Sequence, residues 1–169
     1  MRRNEDFMNV LLCIIIAFGL GCLCMYLITQ KEIAKKSGQL QKNKKYVELV
    51  NQWLILKHSN MKLETELKRR GIHEIAVYGM GICGRHLIRE LATSDITMAY
   101  AMDKKNMDPY HGIEVRKLQK ELPVVDAIVN TVINDNSVIN EEIKKYFSCP
   151  IITLEDLVYE SYVVEDDRI

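Results

Sequence analysis

The chain has 169 residues, and its 23 Lys and Arg residues balance 23 Asp and Glu residues. That length accommodates one soluble domain and one extra segment. The balanced charge argues against a nucleic-acid-binding protein, because such proteins carry a basic domain or stripe. Cys13, Cys22 and Cys24 fall in an apolar segment, while Cys83 and Cys149 are isolated. Neither a disulfide framework nor a metal site is therefore expected.

An uncharged segment lies between Asp6 and Lys31 near the N-terminus. A helix of that length can cross the hydrocarbon core of a bilayer, which is about 30 Å thick. The segment is longer than the apolar core of a cleaved signal peptide, and no small-residue cleavage site precedes a polar mature start. We therefore predict a retained transmembrane anchor over residues 1–30, with the lipid bilayer as a partner.

The charges that flank this segment predict its orientation. The N-terminal flank carries Arg2, Arg3 and the free amine, whereas lysines crowd the C-terminal flank. The positive-inside rule then places the N-terminus outside the cell and the following domain in the cytoplasm, as in a single-pass membrane protein. The lysines of the C-terminal flank are Lys31, Lys35, Lys36, Lys42, Lys44 and Lys45.

Residues 31–70 are polar, contain no proline, and are predicted to form a helical stalk that is interrupted near Ser37 and Gly38. Apolar residues of the stalk recur at alternating steps of three and four, which gives a heptad seam with one polar position. Two interpretations stay open. The seam forms a short parallel coiled coil in a homodimer, or it packs on its own domain, which we favour. The seam residues are Tyr46, Leu49, Trp53, Leu56, Asn60, Leu63 and Leu67.

A glycine-rich turn follows the first strand of a domain that we predict for residues 71–162. The uniformly apolar residues 75–78 are typical of a central parallel strand covered on both faces. Gly79, Gly81 and Gly84 then form a G-x-G-x-x-G pattern that leads into a helix. In this pattern the first glycine permits a tight turn, the second lets a pyrophosphate approach, and the third lets helix and strand pack closely. The helix N-terminus offers free N–H groups to the anion.

An acidic residue stands where such a site requires one. The apolar run 96–102 is followed by Asp103, which lies about twenty residues past the glycines. In dinucleotide-binding folds, the acidic residue that binds the ribose hydroxyls lies at this distance from the glycines. Lys104 and Lys105 follow and can meet an additional phosphate, so NAD and NADP both stay open. The alternative is that the glycines serve packing alone. The expected cofactor contacts are Gly79, Gly81, Ile82, Cys83, Gly84, Asp103, Asn130 and Thr131.

The rest of the chain continues the alternation of strands and helices, which predicts an α/β fold. We expect an incomplete Rossmann-like parallel sheet with strand order 3-2-1-4-5. The domain is closed by a turn of helix, and residues 163–169 form a C-terminal tail. The remaining predicted elements are a strand at 112–115, a helix at 117–122, a strand at 124–132, a helix from Asn136 or Ser137 to about Phe147, a strand at 150–153 and a helical turn at 154–161.

Four stretches resemble the small Rossmann-like modules of bacterial surface-polysaccharide biosynthesis proteins: "IAVYGMGICGRHLIREL", "YAMDKK", "VDAIVNT" and "CPIITLEDLVYE". Such modules occur fused to glycosyltransferases, and a similar domain opens some bacterial sugar acetyltransferases. The resemblance covers residues 45–162 and implies a phosphate turn at the three glycines, with Asp103 as the acid after the second strand. It implies NAD, NADP or a nucleotide sugar as the ligand. A predicted anchor replaces the glycosyltransferase or acyltransferase domain.

No catalytic set is positioned by the sequence. No Tyr-x-x-x-Lys pattern of the extended short-chain reductases stands on a later helix, and no histidine of the domain has a partner placed by sequence. Cys83 is better explained as a small buried packing residue than as a reactive thiol. Glu155 and Asp156 are typical of the start of a solvated helix. The chain ends soon afterwards, so we expect no segment that forms a second wall against a substrate.

These patterns predict a membrane-anchored cytoplasmic module that binds a nucleotide or dinucleotide. We expect it to act without turnover of its own, as a partner of another membrane-associated protein in surface-polysaccharide biosynthesis. Two alternatives stay open. One is an NAD(P)- or nucleotide-sugar-dependent enzyme completed by a partner chain, and the other is a ligand-sensing domain that regulates a membrane transporter.

Overall fold

Five parallel strands form one sheet in the computed structural model of the chain, which describes residues 2–134 and 136–166. Side chains are described for residues 18–134 and 136–161. The chain divides into two compact units, residues 1–44 and 45–169. The first unit is helical, and the second unit contains the sheet. Residues 45–70, which we had assigned to the stalk, group with the domain.

The sheet order is β3-β2-β1-β4-β5, and every strand pair is parallel. This confirms the predicted α/β fold and its strand order. The elements in chain order are α1 (Arg2–His58), α2 (Leu63–Arg69), β1 (Glu74–Tyr78), α3 (Ile82–Leu91), β2 (Thr97–Met102), β3 (Val115–Arg116), β4 (Ala127–Asn130), α4 (Asn136–Lys144), β5 (Ile151–Thr153) and α5 (Leu154–Asp166).

The central strand β1 is apolar throughout its buried length because helices cover both faces of the sheet. Its side chains alternate between two cores, as the pleat requires. Ile75 and Val77 pack in the core formed with α2, α3, α5 and the end of α1. Ala76 and Tyr78 pack in the core on the opposite face, which α4 covers. The domain therefore has three layers, with the carboxyl ends of all strands at one edge.

The seam of the stalk packs on its own domain, which was the interpretation that we favoured. Leu49 and Leu56 are 1% exposed and Trp53 is 6% exposed. The indole N–H of Trp53 donates to Glu90 Oε2 at 2.7 Å, and Lys57 pairs with the same carboxylate at 3.1 Å. These side chains belong to the core of the domain. A homodimer through the stalk stays a prediction.

Two predicted local features are wrong. α1 continues through Ser37 and Gly38 without interruption. Residues 117–122 form no helix, because so short a segment gains too little from local hydrogen bonds to hold a helix by itself. Tertiary contacts fix this connection instead: Leu122 and Val125 are buried in the second core, and the Tyr100 hydroxyl donates to the Pro123 carbonyl at 2.8 Å.

Other elements differ from expectation only in their bounds. The third strand is confined to β3, because Tyr110 and Ile113 pair with each other across a turn in which Gly112 has φ +79°. The last helix, α5, is longer than the single helical turn that we expected. The side chains of the predicted tail, residues 163–169, lie outside the described part of the chain.

The predicted transmembrane helix is not found among the residues that the structure describes, where no helix has a stretch long and apolar enough to cross a membrane. The predicted anchor spans residues 1–30, and the side chains of residues 1–17 lie outside the described part.

A buried carboxylate joins α2 to α5. Glu66 is 3% exposed and accepts hydrogen bonds from Arg69 and Arg70, each at 2.7 Å. Arg70 also pairs with Glu160 of α5. Hydrogen bonds from Arg69 and then Arg70 lower the pKa of Glu66 in spite of its burial. The charged form of Glu66 is therefore the form that stabilises this contact.

Replacement of Leu56 by Ala is expected to destabilise the domain by about 2–5 kcal/mol, because it leaves a cavity where α1 packs on the sheet. Leu54 lies on the same helix but is 52% exposed, so Leu54→Ala is expected to change the stability by less than about 0.5 kcal/mol. Urea unfolding can be followed through Trp53, which is the only tryptophan of the chain. Equal midpoints for the two variants would contradict the docking of α1.

Replacement of Glu66 by Gln is expected to make stability less sensitive to acid. Since the folded-state pKa of Glu66 is lowered, its stabilising effect is present above the unfolded pKa of about 4.3 and is lost as the pH falls through the folded pKa. The free energies of unfolding of wild type and variant should thus differ at neutral pH and converge as the pH falls through the lowered folded-state pKa of Glu66. A difference that stays constant with pH would show that the charge is unimportant.

Candidate functional site

Two of the three glycines are required by the backbone itself. Gly79 directly follows β1 and has φ +95°, a conformation that favours glycine. Gly84 lies in the first turn of α3, and a Cβ atom added to it would stand 2.0 Å from the carbonyl oxygen of Gly79. No other residue permits that approach of helix to strand. The structure therefore gives Gly79 and Gly84 the turn and packing roles that the pattern predicts.

Gly81 differs from both. It is exposed, it forms the N-cap of α3 with φ −67° and ψ −165°, and a Cβ atom added there would meet nothing within 4 Å. Any residue can adopt this backbone conformation. Ser, Asn or Asp would cap the helix better than glycine, because their side chains accept a hydrogen bond from the first N–H groups. Neither packing nor capping thus explains the glycine at this position.

Asp103 lies beside the glycine turn, as predicted. Its Oδ2 accepts a hydrogen bond from the backbone N–H of Met80 at 2.7 Å, and its Oδ1 accepts one from the N–H of Lys105 at 2.9 Å. The carboxylate thereby joins the end of β2 to the turn after β1. Each carboxylate oxygen has a second lone pair, so the half-buried Asp103 still has capacity to accept hydrogen bonds from a ligand.

The side chains of Asn130 and Thr131 support the turn from inside the protein. The Thr131 hydroxyl lies 2.6 Å from the carbonyl oxygen of Gly79 and 3.0 Å from that of Tyr78. Asn130 is 1% exposed, and its amide nitrogen donates to Asn140 at 2.8 Å. The structure brings both residues to the expected edge, but their side chains are committed to protein partners. In this structure they hold the glycine turn in shape, and their role as cofactor contacts stays a prediction.

Ile82 and Cys83 lie at the start of α3 and point in different directions. Ile82 is 57% exposed, whereas Cys83 is 4% exposed and belongs to the core beneath α1. Burial raises the pKa of the Cys83 thiol, which hydrogen-bonds to Tyr46. The thiol is thus buried as a packing group, as the sequence indicates. Of the pair, only Ile82 is placed beside the open side of the turn.

The end of α1 contributes to the carboxyl edge, which the sequence did not predict. Tyr46 contacts Cys83 at the start of α3, and the charge of Lys45 acts on Glu155 at the start of α5. Residues 45 and 46 therefore stand beside the carboxyl ends of the strands. We expected no segment that forms a second wall against a substrate; the end of α1, which precedes β1 in sequence, packs on the domain and lies at this edge.

Glu155 was wrongly assigned to a solvated helix start. It is half-buried, and its Oε2 accepts a hydrogen bond from the amide nitrogen of Asn136 at 2.9 Å. Burial raises the pKa of Glu155. Asp156 is exposed, and its backbone N–H donates to Thr153 Oγ1 at 3.0 Å. No local pattern distinguishes the two acids, because the partner of Glu155 lies 19 residues away in sequence.

The cation after Asp103 has a partner. Lys104 pairs with Glu142 of α4 at 3.1 Å, and this ion pair raises the pKa of Lys104. Lys105 is exposed. Among the side chains of residues 18–134 and 136–161, no group of three or more His, Cys, Asp or Glu residues is arranged to hold a metal ion.

Comparisons of the chain with protein-family models, with curated proteins and with solved structures return no match.

Replacement of Gly84 by Ala is expected to destabilise the domain by about 1–3 kcal/mol or more, because the new methyl group overlaps the Gly79 carbonyl. Replacement of Gly81 by Ala adds the same methyl group in open space and is expected to change the stability by less than about 1 kcal/mol. Thermal unfolding of the two variants measures the difference. A Gly84→Ala variant as stable as Gly81→Ala would contradict the close approach of α3 to β1.

Proposed function

We propose that the domain binds a nucleotide-type ligand, a dinucleotide or a nucleotide sugar, through its diphosphate at the turn from Gly79 to Gly84. The observation that supports this proposal is the glycine at position 81. Packing explains the glycines at 79 and 84, but the backbone at 81 needs no glycine and has open space before it. A side chain at this position would obstruct an anion that approaches the backbone, which is the reason for a second glycine in this pattern.

The electrostatics of α3 suit an anion. The first N–H groups of a helix have no intrahelical acceptor, and the helix dipole places about half a positive charge at that end. The first turn of α3 has no acidic residue that would neutralise it. Arg85, which is exposed in the same turn, adds positive charge. A phosphate group is therefore stabilised at this end and meets no carboxylate of the helix.

The neighbouring groups favour a ribose with free hydroxyls. Asp103 presents a carboxylate beside the turn, which can accept hydrogen bonds from a ribose but repels a phosphate attached to it. Lys104, whose charge would offset that repulsion, pairs with Glu142. We infer NAD or a nucleotide sugar as the ligand in preference to NADP.

Membrane attachment is part of the proposal. Large apolar side chains between residues 18 and 28 are exposed on α1, and a helix of this kind needs apolar surroundings, either lipid or protein. On the resemblance noted above, we place the module in surface-polysaccharide biosynthesis as a non-catalytic partner of a membrane-associated protein. Attachment would raise its local concentration beside such partners.

An enzymatic role is the second candidate, and Glu155 is the observation that favours it. A half-buried carboxyl with a raised pKa is the kind of group that serves as a general acid or base. It lies at the same edge of the sheet as the glycine turn, with Lys45 near it. The step would take place in a complex, with a substrate held by the partner chain.

Replacement of Gly81 by Val in the full chain is expected to weaken the binding of NAD or UDP-glucose by about tenfold or more, because the side chain occupies the path of the diphosphate. Isothermal titration calorimetry measures the affinity. Gly38→Val is the matched control, since a Cβ atom at Gly38 also meets nothing within 4 Å. The fold should tolerate both changes. Equal affinities for the two variants would contradict the phosphate-turn assignment.

A further inference from the structure

Tyr78 occupies the centre of the carboxyl edge. It is the last residue of β1 and stands in register with Met102 of β2 and Asn130 of β4. Gly79 follows directly, so the glycine turn begins at this residue. The Tyr78 side chain lies on the face opposite α3, where it packs in the same core as Met102 and Ile139.

The hydroxyl of Tyr78 has no hydrogen-bond partner in the described part of the chain, although the residue is only 2% exposed. A buried hydroxyl without a partner is unfavourable for folding, and phenylalanine would fill the same core without that cost. Tyr100, in the same core, shows the ordinary arrangement, because its hydroxyl donates to the Pro123 carbonyl at 2.8 Å. Packing therefore does not explain why position 78 is a tyrosine instead of a phenylalanine.

The surroundings of this hydroxyl indicate which space it faces. The charges of Lys104, Glu142 and Asp103 act on it. Asp103 and Lys104 follow β2, Glu142 lies on α4, and the ion pair of Lys104 with Glu142 joins these two elements at 3.1 Å. The hydroxyl thus lies near the ion pair that joins the end of β2 to α4, and near the carboxylate that we assign to the ribose. Burial raises the pKa of Tyr78, so its hydroxyl remains protonated at neutral pH.

We propose that the Tyr78 hydroxyl is a ligand-binding group that hydrogen-bonds the base of the bound nucleotide, through a ring nitrogen or a carbonyl oxygen. This inference rests on the proposed function. With the diphosphate at the glycine turn and the ribose at Asp103, the base attached to that ribose comes to the side of the edge where Tyr78 lies. The missing partner of the hydroxyl is then supplied by the ligand, and the hydrogen bond forms only in the complex.

Replacement of Tyr78 by Phe in the full chain tests this inference, with NAD, ADP and UDP as probes in titration calorimetry. The variant is expected to bind the probe that wild type prefers about tenfold more weakly, because one buried hydrogen bond is lost. Its midpoint of thermal unfolding is expected to stay the same or rise, since the unpaired hydroxyl of the free protein is removed. Inorganic pyrophosphate, which has no base, should bind wild type and variant equally.

Tyr100→Phe is the matched control. It removes a hydroxyl from the same core, but that hydroxyl has a protein partner. Its midpoint of unfolding should fall while its affinity for the same probe stays that of wild type. The two variants together distinguish a hydroxyl that binds the ligand from a hydroxyl that stabilises the fold.

Each other result overturns the inference in a distinguishable way. Equal affinity of Tyr78→Phe and wild type, with binding still weakened by Gly81→Val, removes the role of Tyr78 and leaves the phosphate turn in place. A lowered midpoint of unfolding for Tyr78→Phe shows a structural role, and weaker binding of pyrophosphate shows a disturbed turn. Failure of wild type to bind any of the probes overturns this inference together with the proposed function.

Discussion

The contact of α3 with the end of β1 is the constraint on which the site depends. At Gly84 the helix approaches the carbonyl of Gly79 so closely that no side chain fits between them. This approach directs the N-terminus of α3 toward the carboxyl edge and leaves Gly81 outside the packed region. Thr131 from β4 and Asp103 from β2 bind the same turn. The three central strands therefore hold one loop, which fixes the shape of the turn where we propose that an anion binds.

The docking of α1 is the second determinant of the site. Its apolar seam is buried against the domain, and Glu90 of α3 binds both Trp53 and Lys57 of α1. The end of α1 is thereby held against the domain, with Tyr46 beside the start of α3. A segment that by sequence is only a connection between an apolar stretch and a domain thus contributes to the edge where the ligand is proposed to bind.

Unfavourable polar groups concentrate at this edge. In the described part of the chain, three buried side-chain atoms have no hydrogen-bond partner, and two of them, Tyr78 Oη and Asn136 Oδ1, belong to residues at the carboxyl ends of strands or the helix that follows. Glu155, with its raised pKa, stands beside Asn136. Proteins satisfy most buried polar groups, and exceptions are typical of functional sites. We take this distribution as support for the ligand site that we propose at this edge.

The sequence by itself determined the strands, their order, the glycine turn and the position of Asp103. These features depend on local patterns: apolar runs of strand length, glycines at fixed spacing, and an acid directly after the second strand. Only the tertiary structure decided that residues 117–122 form no helix, that the side chains of Asn130 and Thr131 bind protein partners, and that Glu155 is half-buried. The physical reason is that each of these outcomes depends on contacts between residues far apart in sequence, such as Thr131 with Gly79 and Asn136 with Glu155. A local sequence pattern does not predict which distant residue a side chain contacts.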